Sequence, residues 1–281
     1  MPAAHPIKVA ISGINGRMGR ASLSALAEDE GIRVVAGLGR RGASYIGKTV
    51  AELAVPAGGS LANLKISDDI SEVLTDSSAD ILLEFSEAAS AFSYAKAALN
   101  KKIRPVVGTS GLTTAQLHEL SELAQQEKTG ALVVPNFSVG AVLMMNFAQQ
   151  AARLFDNVEI VETHKLGKKD APSGTAVHTV REIEASGKQF NQSSTEEREL
   201  IAGARGAKSQ NGVRVHSVRL PGILSLQEVM FGADGELLTI RHDSFSTKCF
   251  AKGIILAIHS VMNLNSLVVG LESFVLRTGN A

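Results

Sequence analysis

The chain has 281 residues, enough for two packed domains sharing a cleft. Lys plus Arg and Asp plus Glu each number 28, and there is no Trp and only two Tyr, so neither charge nor aromatic platforms argue for a nucleic-acid partner. Cys249 is the single cysteine, which excludes an intramolecular disulfide and Cys-rich metal sites; no apolar run reaches the ~20 residues that span a bilayer, and Met1-Pro-Ala-Ala-His-Pro6 lacks the marks of a secretory leader, so a cytoplasmic protein without metal or membrane partner is expected.

Ile7 to Ser12 is a short β-branched strand. Gly13-Ile14-Asn15-Gly16-Arg17-Met18-Gly19 follows at once, and Arg20 to Ala27 reads as a helix. Strand, glycine turn and helix in this order form a dinucleotide-binding unit. Gly13 permits the tight turn, Gly16 lets backbone approach a pyrophosphate, and Gly19 allows close helix–strand packing. The spacing is G-x-x-G-x-x-G, with Asn15 where a middle glycine is usual; a tight turn without ligand has the same pattern. Ile32 to Leu38 predicts the second strand. An acid that reads the ribose 2′-hydroxyl of NAD belongs at its end, where Gly39 stands. No acid occurs from Gly31 to Ala51; Arg40 and Arg41 come next. A guanidinium pair suits a 2′-phosphate, so NADPH is expected to be preferred with NADH still usable; solvated loop charges are the plainer alternative for both arginines.

Strands are expected over Ala79–Phe85, Ile103–Val107 and Ala131–Pro135. Each ends in small or polar residues, at Ser86, at Gly108-Thr109-Ser110-Gly111 and at Asn136-Phe137-Ser138-Val139-Gly140. Ligands of parallel sheets bind outside the carboxyl ends of their strands, so these loops converge on one crevice. A helix leaves the sheet over 139–146, and Asn157 to Thr163 is a strand.

That strand leads into Glu162-Thr-His-Lys-Leu-Gly-Lys-Lys-Asp-Ala-Pro-Ser-Gly-Thr-Ala176. His164 exchanges protons near neutral pH. Lys165, Lys168 and Lys169 supply positive charge, although Lys169 reads more readily as a solvated charge. Ser173, Gly174 and Thr175 bring backbone N–H groups to a helix start that suits a carboxylate or phosphate. Asp170 is expected to cap that helix. Residues 186–212 read as loops with a short helix. Val213–Arg219, Gln227–Phe231 and Glu236–His242 alternate as strands of a mixed or antiparallel sheet. Arg214 and Arg219 reach either a substrate carboxylate or a neighbouring strand, the second being the plainer reading. His178, His216 and His242 read as structural or exposed, and Cys249 as a small core filler. Phe250 to Met262 is a helix, after which the chain returns to the first domain.

The expected fold class is α/β: a Rossmann-like doubly wound parallel sheet, residues 1–138 and 249–281, plus an α+β domain with a mixed or antiparallel sheet, residues 139–248.

With Gly16-Arg-Met-Gly19, Gly108-Thr-Ser-Gly111, Asn136-Phe-Ser-Val-Gly140, Glu162-Thr-His164, Lys168 to Ala176 and Val218-Arg-Leu-Pro-Gly222 in this order, the chain resembles the dihydrodipicolinate (4-hydroxy-tetrahydrodipicolinate) reductases over essentially its whole length. The resemblance implies a nicotinamide-dependent reduction of a cyclic dicarboxylate in lysine and diaminopimelate biosynthesis. It implies that His164 is the acid–base histidine, Lys168 the proton-donating lysine, and Gly174 with Thr175 the holders of a substrate carboxylate. Gly13 to Met18 match the pyrophosphate loop, and Gly108 to Ser110 and Pro135 to Ser138 match loops near the nicotinamide. Two departures stand out: Lys165 replaces a usual second histidine at a substrate-contacting position, and Ser86-Glu-Ala88 lacks a usual proline. The resemblance also implies a homotetramer built through the second domain's sheets. A different nicotinamide dehydrogenase of amino-acid metabolism on the same architecture is the alternative.

Overall fold

In the computed structural model, residues 5–53 and 59–277 are described. The chain divides into two compact units, residues 1–139 with 250–281, and residues 140–249.

The first unit alternates strands and helices: β1 Ile7–Ser12, α1 Arg17–Leu26, β2 Ile32–Leu38, α2 Gly59–Ala62, β3 Ile66–Ser67, α3 Ile70–Asp76, β4 Ile81–Glu84, α4 Ala88–Asn100, β5 Arg104–Val107, α5 Thr114–Gln126 and β6 Ala131–Val133. The seven-stranded sheet has the order β12-β6-β5-β4-β1-β2-β3, where β12 is Leu267–Val269, and every pairing in it is parallel. All four residues of β4 are buried, as a strand covered on both faces requires. Gly19, Ser22, Leu23 and Leu26 give α1 one buried stripe at helical spacing. Thr113 and Gln116 form a reciprocal capping box at the start of α5, and the Asp69 carboxylate caps α3.

In chain order, α6 Val139–Ala152 comes next, then β7 Asn157–His164, α7 Gly174–Glu184, β8 Ala207–Lys208, β9 Arg214–Arg219, β10 Ser225–Ala233 and β11 Glu236–Ser244. The second unit's sheet has the order β11-β10-β7-β9-β8 and is mixed, because β7 and β9 run parallel while the other pairs are antiparallel. Phe190, Phe231, Ile160 and Ile183 are fully buried in its core. The chain ends with α8 Ala251–Val261, β12 and α9 Glu272–Arg277.

Several boundaries differ from the sequence reading. Helix α1 starts at Arg17 rather than Arg20, because Gly16 is already the extended N-cap residue. Gly19 thus lies within the helix, and a Cβ there would stand 2.4 Å from the Gly13 carbonyl oxygen. Helix α6 continues past 146 to Ala152. Gln149 and Gln150 interrupt the apolar run, but Ala148, Ala151 and Ala152 keep one face buried. Residues 186–206 contain no helix among the described residues, and β8 is the only regular element in the expected loop region. Asn191 explains the order there without one: its side-chain oxygen accepts from the Val158 N–H at 2.8 Å, and its amide donates to the Val158 carbonyl at 2.7 Å. Helix α8 is preceded by a 3-10 turn, Thr247–Phe250.

Candidate active site

The first unit's loops form a continuous row at the carboxyl ends of its strands. Gly13 has φ +70°, and a Cβ there would lie 2.5 Å from the Phe85 carbonyl oxygen, so only glycine lets the two loops meet. A Cβ on Gly108 would strike the rings of Phe85 and Phe137, which pack edge to face at 5.6 Å. The Thr109 hydroxyl donates to the Ser86 carbonyl at 2.9 Å, and Asn136 accepts from the Ser138 N–H at 2.8 Å. The loops after β1, β4, β5 and β6 are thereby locked together.

The start of α1 fits a dinucleotide pyrophosphate. No side chain caps the helix, its first turn holds no acid, and Gly16 and Arg17 are exposed. Backbone donors at such a start suit an anion. Asn15 is held by Arg20, whose guanidinium donates to its side-chain oxygen at 2.8 and 3.1 Å. Ile14 and Phe137 are buried, so they face the site through backbone only. Met18 is half-buried, while Ser110 and Pro135 are exposed.

At the end of β2, Gly39 is buried. A Cβ there would stand 2.6 Å from the Tyr45 ring and 2.7 Å from the Ile46 side chain. An acidic side chain there would have to displace both of them. Arg40 and Arg41 are exposed, and neither makes an ion pair among the described residues. The loop is fixed behind them: the Tyr45 hydroxyl accepts from the Arg40 N–H at 3.1 Å, and Asp68 accepts from the Gly42 N–H at 2.9 Å.

Sequence reasoning missed Glu84. Its carboxyl is fully buried at the end of β4, beside this row of loops. Burial pushes it above the usual carboxylate range, against the opposing hydrogen bond from the Ser86 N–H. The signal available was an acid closing an otherwise apolar strand.

The second unit holds the titratable cluster. His164 is the last residue of β7, and its Nδ1 lies 2.5 Å from Oε2 of the fully buried Glu162. Burial raises the Glu162 carboxyl, but hydrogen bonds from His164, Arg219 and Ser217 outweigh it and hold the group down at about 2. Glu162 is therefore an ionised acceptor, and His164 Nδ1 carries the hydrogen. Nε2 is left as the exchangeable position. Arg219 grips both oxygens of Glu162, at 2.9 and 3.1 Å. Arg219 is thus a cross-strand partner from β9, whereas Arg214 turns to Glu197 in the 192–206 loop.

Lys168 is half-buried, with Nζ 2.8 and 2.9 Å from the Asp170 oxygens. The Lys168 hydrogen bond holds the Asp170 carboxyl below its usual range. Asp170 therefore does not cap α7, as the sequence had suggested. Ser173 does, accepting from the Ala176 N–H at 3.1 Å, because the chain from Asp170 to Pro172 is still outside the helix. Gly174 is exposed and Thr175 half-buried at the first two positions of α7. Lys165 and Lys169 are exposed. Of the other histidines, His216 binds Glu159 at 2.8 Å, His178 lies 3.5 Å from Glu182, and His242 is pushed down by burial. Among the described residues no cluster of three or more His, Cys, Asp or Glu side chains forms a metal site, and no helix is long and apolar enough to cross a membrane.

A parallel-sheet unit with a glycine-turn cradle, in one chain with a mixed-sheet unit carrying an imidazole–carboxylate pair, defines a dinucleotide-dependent oxidoreductase. Comparison with known proteins narrows the class. A family model described as dihydrodipicolinate reductase, N-terminus, matches residues 7–137, and its C-terminal counterpart matches residues 140–275. The chain belongs to the dihydrodipicolinate reductase family. It is 42% identical over 270 residues to the 4-hydroxy-tetrahydrodipicolinate reductase of Lysinibacillus sphaericus, covering 96% of this chain and 99% of that one. It is 42% identical over 267 residues to the enzyme of the same name from Listeria innocua, covering 95% and 99%. The structure of a dipicolinate-bound dihydrodipicolinate reductase from Paenisporosarcina sp. TG-14 superimposes with TM-score 0.84 at 36% identity, over 95% of this chain and 99% of that one. An amine dehydrogenase from Mycobacterium smegmatis shares the fold alone, with TM-score 0.66 at 15% identity.

Proposed function

We infer that the protein reduces the dehydrated form of 4-hydroxy-tetrahydrodipicolinate to tetrahydrodipicolinate, a step of lysine and diaminopimelate biosynthesis. The observation that carries this reading is the segment from Glu162 to Ala176, where a carboxylate-oriented imidazole and an anchored ammonium precede a Ser173-capped helix start. This set suits a carboxylated substrate that must also receive a proton.

Gly13, Ile14, Asn15, Gly16, Arg17 and Met18 would hold the cofactor pyrophosphate through backbone groups. Gly108, Thr109, Ser110, Pro135, Asn136, Phe137 and Ser138 would border the nicotinamide. A bound reduced nicotinamide supplies hydride to ring carbon C4 of the substrate. Gly174 and Thr175 hold a substrate carboxylate at the start of α7, and Lys165 adds a point charge for it. His164 and Lys168 stabilise the negative charge that builds on the substrate ring and deliver the proton to C3. His164 gives its proton from Nε2 when the ring is doubly protonated, returning to the neutral form whose hydrogen stays on Nδ1 against Glu162.

Arg40 and Arg41 favour NADPH, with NADH still usable through the shared pyrophosphate loop. The support is steric as well as electrostatic, because Tyr45 and Ile46 fill the space an acid at Gly39 would need. The enzyme works in the cytoplasm as a homotetramer assembled through the second unit's sheet. Edge strand β11 supports this, leaving Leu237 and Leu238 68% and 38% exposed.

The test is a spectrophotometric assay of nicotinamide oxidation, with substrate generated in situ from pyruvate and aspartate semialdehyde by the preceding enzyme. Turnover with NADPH exceeding that with NADH is expected. Replacing Arg40 and Arg41 together should erode NADPH affinity far more than NADH affinity, and added salt should act in the same direction. No oxidation with either cofactor would overturn the function. Equal efficiency with NADH would overturn the preference alone.

A further inference from the structure

Two proton donors that act on one substrate need fixed positions relative to each other, since a displacement of about 1 Å at a reacting centre costs on the order of 10²-fold in rate. His164 ends a strand, but Lys168 sits in the irregular chain between β7 and α7. Among the described residues, its backbone is tied nearby by a turn in which the Lys168 N–H donates to the Lys165 carbonyl at 3.1 Å. Something outside the segment must register one donor against the other.

We infer that Arg219 is the positioning residue for both, holding His164 through Glu162 and Lys168 through Asp170. This rests on the reductase reading above. The guanidinium makes four hydrogen bonds in three directions. It donates to both oxygens of Glu162, to its own strand at the Val218 carbonyl at 2.8 Å, and to the Asp170 carbonyl at 2.7 Å. Glu162 passes the constraint to the imidazole by accepting from Nδ1. Asp170 passes it to the ammonium through both carboxylate oxygens. Cross-strand register makes this possible: His164 stands opposite Arg219, and Glu162 opposite Ser217. Arg219 therefore reaches diagonally back to Glu162 and forward to the loop. A planar fork with five donors can serve these acceptors together, whereas a lysine at the same place offers one point of charge. Arg219 touches neither reacting atom in this account; its action is through the other two residues.

Five variants separate this role from a purely structural one. Glu162→Gln keeps the shape of the buried side chain but can present its amide N–H to the imidazole. Arg219→Met removes the fork, and Glu162→Gln/Arg219→Met avoids leaving a buried carboxylate unpaired, which by itself would threaten folding. Asp170→Asn loosens Lys168 alone. The first readout needs no activity: nitrogen NMR of the His164 ring, at a pH where it is neutral. Wild type should show hydrogen on Nδ1, and Glu162→Gln should redistribute it to Nε2. Arg219→Met and the double variant should broaden or mix the tautomers, while Asp170→Asn should leave them as in wild type. The second readout is kinetic. Arg219→Met and the double variant should lower kcat by about 10²-fold with NADPH affinity unchanged, Asp170→Asn should lower it less, and Arg219→Lys should restore only part of the loss.

A wild-type His164 ring protonated on Nε2, or folded Arg219 variants with wild-type tautomer and kcat, would overturn the positioning role. If wild type failed to turn over the dicarboxylate substrate while the tautomers responded as described, the function reading would fall and the Arg219 network would stand.

Discussion

His164 and Lys168 are where sequence, structure and chemistry meet. One carries its hydrogen on the nitrogen that Glu162 selects, and the other is anchored by the Asp170 carboxylate at 2.8 Å. Replacing either with Ala or Gln should lower turnover by roughly 10²–10⁴-fold, the usual worth of a general acid–base group. Cofactor affinity, measured by fluorescence titration, should change little. Near-wild-type turnover in one variant would remove that residue from the mechanism. Glu162 adds a prediction about pH. It titrates at about 2 in the folded protein against 4.5 in the free side chain, so the folded state binds fewer protons in between. Its stabilisation is complete above pH 4.5 and is lost as the pH falls toward 2. The shift corresponds to ~3 kcal/mol. Thermal midpoints followed from pH 6 to pH 3 should fall steeply for wild type and less so for Glu162→Gln. Parallel curves would show that the pair contributes nothing to acid sensitivity.

At the scale of elements, glycines decide how closely segments approach. Gly19 is the most demanding case. A Cβ there would lie 2.4 and 2.5 Å from the carbonyl oxygens of Gly13 and Ile14, both backbone atoms that cannot swing away. Gly19→Ala should push α1 off its turn, lower the thermal midpoint by an amount equivalent to about 1–3 kcal/mol, and weaken NADPH and NADH binding alike. Unchanged binding of both cofactors would mean that the helix start does not hold the pyrophosphate. The same packing explains why this helix begins three residues before its sequence-based start. Gly16 and Gly19 read as turn residues by propensity, but only Gly16 is outside the helix. The long helix α6 errs in the other direction, since its two glutamines hid a continuing alanine stripe. Gln149 has its own partner, donating to Glu182 of α7 at 2.6 Å. No local pattern announces such a bond.

At the scale of the whole molecule, the proposed function divides between the units: the glycine turn proposed for the nucleotide lies in residues 1–139 with 250–281, and the proposed proton donors lie in residues 140–249. The second unit's sheet ends in a nine-residue edge strand, β11, with exposed leucines. Exposed apolar edges of this kind invite pairing. Sedimentation should give a mass of four chains, and Leu237→Lys/Leu238→Lys should shift the protein toward smaller species. A wild-type chain that sediments as a monomer would remove the assembly from the account.

The sequence by itself determined the architecture and supplied the residues of the proposed site. Apolar β-branched runs predict the buried parallel strands, glycine spacing marks the tight turn before α1, and the run from Glu162 to Ala176 contains both proposed proton donors, because each of these signals is local. The absence of an acid after β2 was equally legible, although Asp68, 26 residues beyond Gly42, came into hydrogen-bond range of that loop only in three dimensions. What the tertiary structure alone decided is who orients whom. Arg219 is 57 residues from Glu162 and 49 from Asp170, and it reaches both because β7 and β9 pair in parallel with His164 opposite Arg219. Shifting that register by one residue would turn every side chain of β9 to the other face. Register is set by packing of the whole sheet against its core, and no segment of the chain encodes it alone.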